Sequence, residues 1–211
     1  GQRLARSCIG RFSDDVAGHA VAELFYLALE TDFRPQLQRI REFRPDVLFV
    51  PGSFPDATLG AAQAEKVGLR VTMLGGDAWS SPFLFEGGAP PGEAYYVELC
   101  SPSPDFDRRY ERAAGQEPPG CRAVLAYDAV RVVAEGLRSL GKLPDEALDA
   151  SLVATRRRLR DAVARNEVDG ATGRIRFDAR GDRRQGVALY SVEKAAPGPP
   201  RALVRGWLGE P

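Results

Sequence analysis

Apolar positions recur along this chain with two rhythms, a helical period and short unbroken runs, set in alternation. Val16, Ala20, Val21, Leu24, Leu27 and Ala28 fall close to a 3.6-residue repeat, so the pattern predicts a helix over 15–29, with Ser13 or Asp14 as its cap. A second helix is predicted from Thr31-Asp32-Phe33 onward, with Leu37, Ile40 and Phe43 on one face. Pro35 fits its first turn, where a missing N–H costs nothing. Asp46-Val47-Leu48-Phe49-Val50, bounded by Pro45 and Pro51-Gly52, is the kind of run that is buried on both faces of a parallel sheet. A helix over 57–67, stopped by Gly68, leads to a second run over 70–74 and then Gly75-Gly76-Asp77. Strand, helix and strand in that order predict a parallel pair joined by a right-handed crossover.

The second half is less regular. Residues 95–99 read as a strand and 106–114 as a helix that ends before Glu117-Pro118-Pro119-Gly120. Over 122–140, Val124, Ala126, Tyr127, Val130, Val133, Ala134 and Leu137 form a broad apolar stripe, the expected core face of a long helix closed by Gly141. Residues 144–166 read as largely helical, with Arg156-Arg157-Arg158 on a solvated face. Residues 173–177 and 186–192 alternate around a turn at 178–182, which predicts a hairpin or two neighbouring strands. The Pro/Gly-rich stretch 195–200 is expected to be a mobile tail.

Composition narrows the function classes. Lys plus Arg and Asp plus Glu number 29 each, so the balance of charge gives no reason to expect nucleic acid or an anionic membrane as partner. A length of 211 residues at 44% hydrophobic content suits one large domain or two small lobes. With one His and three widely spaced cysteines, no metal-ligand spacing is present, and no metal or cofactor is expected. At most one disulfide can form, with Cys100–Cys121 as the candidate pair because both flank one loop region; the alternative is three thiols packed as small apolar residues. No apolar run approaches the roughly 20 residues that span a bilayer. His19 has no nucleophile arranged around it, and Gly75-Gly76 and Gly87-Gly88 lack phosphate-loop spacing, so the reading is not an enzyme.

Several segments, taken in order, resemble the type I periplasmic binding proteins, specifically the branched-chain amino-acid family of transporter receptors. They are Thr31-Asp32-Phe33 with Gln36 to Ile40, Pro45 to Gly52, Gln63-Ala64 with Val67-Gly68-Leu69, and Leu74-Gly75-Gly76-Asp77-Ala78-Trp79. Further on come Tyr127-Asp128-Ala129-Val130, Gly170-Ala171-Thr172-Gly173, Phe177-Asp178 and Gly181-Asp182. The resemblance implies an α/β fold with parallel-sheet lobes, here incomplete. Family members are longer, and their first lobe begins earlier. On this reading 13–92 is mostly the second lobe with an internal gap near 30, 93–177 is the C-terminal part of the first lobe, and 178–211 is a return segment and tail. The gap is inferred because helix meets helix at Leu29 to Thr31, where the family has further elements.

The resemblance also implies the site. Ligands bind beyond the carboxyl ends of strands in open α/β sheets, which is where the loops at Gly52-Ser53-Phe54 and Gly76-Asp77-Ala78-Trp79 are expected. Asp77 matches the family's acidic partner of a ligand ammonium; the alternative is a cap or solvated loop residue. Ser53 and Phe54 stand where the family has cleft aromatics, so Phe54 is read as a wall and Ser53 as a donor or cap. Trp79 either stacks on the ligand or packs. Asp14 matches a family aspartate near the lobe crossover, against the plainer reading of a helix cap. Tyr95 and Tyr127 are weaker candidates, and Tyr127 is favoured as core. The family's carboxylate grip lies in first-lobe segments that have no match here, so weak or no binding by the chain alone is expected.

The function implied is the periplasmic or extracellular receptor of an ABC importer, lipid-anchored in a full-length form. It would be a monomer that takes amino acids of the branched-chain type, or similar small polar ligands, in an interlobe cleft and delivers them to a membrane permease. Three rivals stand beside it: a ligand-sensing regulatory module of the same fold, a degenerate remnant with a structural role or none, and, least favoured, an NAD-linked α/β enzyme.

Overall fold

The structure, a computed structural model, describes residues 2–27, 29–52, 55–80, 92–100, 103–116, 120–141, 152–193 and 201–208. The chain divides into two compact units, one made of 1–98 with 188–206 and the other of 99–187 with 207–211.

The first unit is built on a five-stranded sheet. Helix α1 (Gln2–Val16) is followed, after the segment 17–27, by α2 (Arg34–Glu42), β1 (Val47–Val50), α3 (Asp56–Lys66) and β2 (Thr72–Gly75). A short 3-10 helix (Asp77–Ser80) precedes β3 (Ala94–Glu98). β6 (Val187–Glu193) and β7 (Arg201–Leu208) return from later in the chain, and the strand order is β1-β2-β3-β6-β7. β1, β2 and β3 run parallel, as the strand–helix–strand pattern predicts, and β6 runs antiparallel to β3. β1, however, is not the buried strand its apolar run predicts but an edge strand with Val47 exposed and Leu48, Phe49 and Val50 half-buried, since among the described residues it has a strand neighbour on one side alone. Opposed residues Tyr96 and Tyr190 stack across that pair, with ring centroids 5.0 Å apart. The core comprises Phe33, Leu37, Ala57, Ala61, Ala64, Val67, Leu69, Val71, Met73, Trp79, Ala94 and Tyr96. Gln63 on α3 fastens the entry to α2: its Oε1 accepts from the Phe33 amide and its Nε2 donates to the Thr31 carbonyl, both at 2.7 Å. Gly68 has φ +68°, the left-handed helix stop expected of it.

The second unit holds α4 (Pro104–Ala114), α5 (Cys121–Leu140), α6 (Leu152–Arg165), and a separate two-stranded sheet of β4 (Val168–Gly170) and β5 (Gly173–Ile175). Ser103 caps α4 by accepting from the Phe106 amide at 3.2 Å. Cys100 and Cys121 form a disulfide, and Cys8 is free.

Four further expectations are corrected. The helix read over 15–29 ends at Val16, and 17–27 has no regular secondary structure. The chain turns at Ala17 (φ 52°), and the Gly18 amide donates to the Phe12 carbonyl at 2.9 Å. A Cβ on Gly18 would lie 2.2 Å from the Phe12 ring, so a glycine is needed for that reversal. Asp14 is therefore not an N-cap. It sits exposed in the last turn of α1, one residue from Asp15, which pairs with Arg11 at 3.6 Å. The third correction concerns the strands: 173–177 does not pair with 186–192. β5 folds back on β4, while β6 joins β3, and the isolated Phe177–Arg183 bridge closes only the turn at 178–182.

The fourth correction concerns α5. Its buried face is Cys121, Val124, Asp128, Val132 and Gly136. The stripe read as core leaves Tyr127, Val130, Val133 and Leu137 exposed, with Val130 at 70%. Apolar residues thus lie on two opposite faces of α5, and α6, β4 and the Phe106 cluster cover one of them. Strand β7 was not foreseen, because its exposed Leu203, Val204, Trp207 and Leu208 show no alternation on a sheet edge. The stretch 195–200 lies outside the described residues.

Candidate functional site

The carboxyl ends of β1 and β2 lie side by side, in the register Val50 to Gly75. The Trp79 side chain joins them. Its indole Nε1 donates to the Val50 carbonyl at 3.0 Å, which satisfies the last carbonyl of β1. The ring lies flat over Gly75, where a Cβ would come within 2.1 Å of it. Gly75 is therefore required by Trp79, and Trp79 is 1% exposed. Of the two readings of this residue, the observed surroundings are those of packing: the indole is a clasp between two strand ends and a member of the core.

That clasp positions Asp77. Directly after β2, the chain enters the 3-10 helix, closed by Trp79 N–H donating to the Gly76 carbonyl and by Ser80 Oγ donating to the Asp77 carbonyl. Asp77 opens this turn and is exposed. Among the described residues its carboxylate makes no hydrogen bond or ion pair. A carboxylate held at a strand end and free to accept is equipped to pair with an ammonium, in a charge-assisted bond that strengthens when water is excluded.

Ser53 and Phe54 lie outside the described residues. The same rim does contain a pair that the sequence did not single out. Gly52 is buried, and the Tyr26 hydroxyl stands above it, 2.7 Å from where a Cβ on Gly52 would be. The hydroxyl lies within electrostatic reach of Asp56 in the first turn of α3, and the ring meets Phe33 edge-on with centroids 5.1 Å apart. Partial burial raises the Tyr26 pKa above its ordinary value, and the Asp56 charge and hydrogen bond add to the rise. No local signal in the sequence marks Tyr26, since the contact spans the strand end and depends on the path of 17–27.

Other candidates fall elsewhere. Tyr95 pairs in register with Leu74 inside the sheet, and its hydroxyl donates to Glu93 at 3.2 Å. Asp14 has no described bond to the rim. Tyr127 lies exposed on α5 in the second unit, edge-on to Phe106 at 5.3 Å with Arg131 over its ring. His19 is exposed in the segment 17–27.

Two further motifs prove to be halves of one structural lock. Asp128 is 2% exposed; its Oδ1 accepts from the Ala171 amide at 2.6 Å, and its Oδ2 from the Thr172 amide at 2.9 Å and from the Thr172 hydroxyl. Arg183 Nη2 donates to that same hydroxyl at 2.7 Å. Burial lowers the Arg183 pKa, and the Asp128 charge opposes the shift. A Cβ on Gly170 would lie 2.6 Å from Asp128 Oδ2, and Gly173 has φ +91°. Gly170, Thr172 and Gly173 are thus each required by the local geometry, Ala171 contributes its amide, and none of these contacts involves a ligand.

Among the described residues, no group of three or more His, Cys, Asp or Glu is placed to hold a metal, and no helix is long and apolar enough to cross a membrane.

Comparison with known proteins gives consistent results. The Leu/Ile/Val-binding protein BraC3 of Rhizobium johnstonii is 29% identical over 169 residues, covering 78% of this chain and 44% of that protein. The structure of a leucine binding protein from Thermotoga maritima superposes with a TM-score of 0.81 at 23% identity, over 98% of this chain and 56% of that one. A solute binding protein from R. palustris, in complex with benzoate, superposes at 0.73 and 17% identity, over 96% of this chain and 54% of that one. The chain spans about half the length of each of these proteins. The fold is that of the type I periplasmic binding proteins, matched over just over half its length. The family model described as periplasmic binding protein matches residues 8–197, and the chain belongs to that family.

Proposed function

We propose that the chain is part of the extracytoplasmic receptor of an ABC importer and that its first unit supplies one rim of the ligand site. The ligand would be an amino acid of the branched-chain type, or a similar small polar molecule, and the partner a membrane permease. The observation that carries the proposal is the Trp79 clasp, which holds the exposed Asp77 carboxylate at the paired carboxyl ends of β1 and β2. The names of the relatives support the ligand class, since BraC3 is a Leu/Ile/Val-binding protein and the Thermotoga protein binds leucine. The Cys100–Cys121 disulfide supports a location outside the reducing cytosol. A monomeric state, a lipid anchor and the absence of catalysis belong to the same proposal.

The test is a titration of the full chain with leucine, isoleucine, valine and benzoate, followed by NMR shifts. Saturable binding on the order of 1 mM is expected, equivalent to about 4 kcal/mol, as for a ligand held on one rim. Asp77→Asn should weaken amino-acid binding about tenfold and leave benzoate, which has no ammonium, unaffected. If none of these ligands saturates the protein or its Tyr26 variants, the receptor reading gives way to a non-binding remnant.

A further inference from the structure

The segment 17–27 combines features that conflict with its observed path. Its apolar residues repeat with helical period, yet it runs without regular structure. Two non-glycine residues at or next to its ends, Ala17 (φ 52°) and Leu29 (φ 70°), hold left-handed backbone, which such residues adopt only when surroundings impose it. Val21 and Phe25 are about half exposed, and Leu27 is 79% exposed, so this path leaves much of its apolar surface in water. Against these costs stands one described side-chain anchorage, Tyr26. Its ring is edge-on to Phe33, and its hydroxyl occupies the space over Gly52 within electrostatic reach of Asp56.

Resting on the receptor reading above, we propose that Tyr26 is a built-in stopper of the β1 rim: its phenol fills the space beside Gly52 that a ligand substituent enters, and it must withdraw, with its segment, before this half-site accepts a ligand. The backbone of Gly52 has no side chain of its own to occupy that space. A foreign side chain pinned there takes the place that a ligand group would otherwise occupy. A site whose competent form is only fractionally populated binds more weakly by that fraction. Tyr26 thereby restrains affinity and selects against bulk on the β1 side.

The test titrates the full chain and its Tyr26→Ala and Tyr26→Phe variants with leucine and benzoate. Tyr26→Ala should bind at least about tenfold more tightly than the unmodified chain, more so for the bulkier benzoate. Tyr26→Phe keeps the ring against Phe33 and loses only the hydroxyl over Gly52, so it should gain less and serves as the variant that keeps the fold. A second readout is the ionisation of the Tyr26 phenol, isolated as the difference between the ultraviolet titrations of the unmodified chain and Tyr26→Phe. Saturating ligand should move it back toward the ordinary tyrosine value. Binding by Tyr26→Ala where the unmodified chain shows none would support the stopper most directly. Equal affinities in all three proteins, or a weaker Tyr26→Ala, would overturn the stopper and leave the receptor reading intact. Absence of binding in all three would overturn both.

Discussion

Asp77 and Asp128 both lie in segments that resemble one family, and the structure gives them opposite circumstances. Asp128 is buried beneath the β4–β5 turn, with both carboxylate oxygens accepting from Ala171 and Thr172 and Arg183 balancing the charge through the Thr172 hydroxyl. Asp77 is exposed on a four-residue turn, and the buried group beside it is Trp79. A carboxylate with both oxygens engaged inside the protein specifies the fold; one supported by its neighbours but not itself engaged is available to something outside. The residue type does not distinguish these roles, and the hydrogen-bond partners do.

The largest expected effect comes from removing the support rather than the carboxylate. Trp79→Ala deletes a fully buried indole and its bond to Val50, at a cost of about 3–5 kcal/mol. Hydrogen exchange should rise across β1 and β2 and stay unchanged over 168–175. Equal acceleration in both stretches would mean that the two regions are not separately stabilised.

Asp128→Ala should rank next, at about 2–4 kcal/mol, because it strands the buried Ala171 amide and the part-buried Thr172 amide and leaves Arg183 without its counter-charge. Here exchange should rise at Ala171 and Thr172 first. A cost below about 1 kcal/mol would show the lock to be dispensable, and the contrast with Asp77 would lose its basis.

Reduction of Cys100–Cys121, which are 21 residues apart, should cost the second unit about 3 kcal/mol by release of the loop constraint. The midpoint of urea unfolding, followed by α5 exchange with and without reductant, measures it.

Asp77→Ala should change stability least, within about 0.5 kcal/mol, as expected for an exposed residue without internal partners. A large loss would mean that Asp77 supports the fold, as Asp128 does.

Much of the first unit was legible because its signals are local. The apolar run Val47 to Val50, the stop at Gly68 and the order strand–helix–strand each depend on neighbours a few residues away. The pattern Gly75-Gly76-Asp77-Ala78-Trp79 located the rim, although only the structure shows that Gly75 exists to admit the Trp79 ring. The face of α5 was misread for the opposite reason. Val130, Val133 and Leu137 are as apolar as a core stripe, and periodicity measures composition around a helix rather than what stands opposite it. Tyr26 was invisible, since its partners Phe33, Gly52 and Asp56 become neighbours only when 17–27 fails to be the helix its pattern describes.

By itself, the sequence determined the parallel βα scaffold, the place of the strand ends and the family, because hydrophobic period, glycine stops and ordered motifs act over short spans of chain. Tertiary structure alone decided which aspartate is engaged, which face of α5 is covered and which phenol stands over the β1 rim. Asp128, for example, meets Ala171 and Thr172 from 43 and 44 residues away, and no local pattern encodes that pairing.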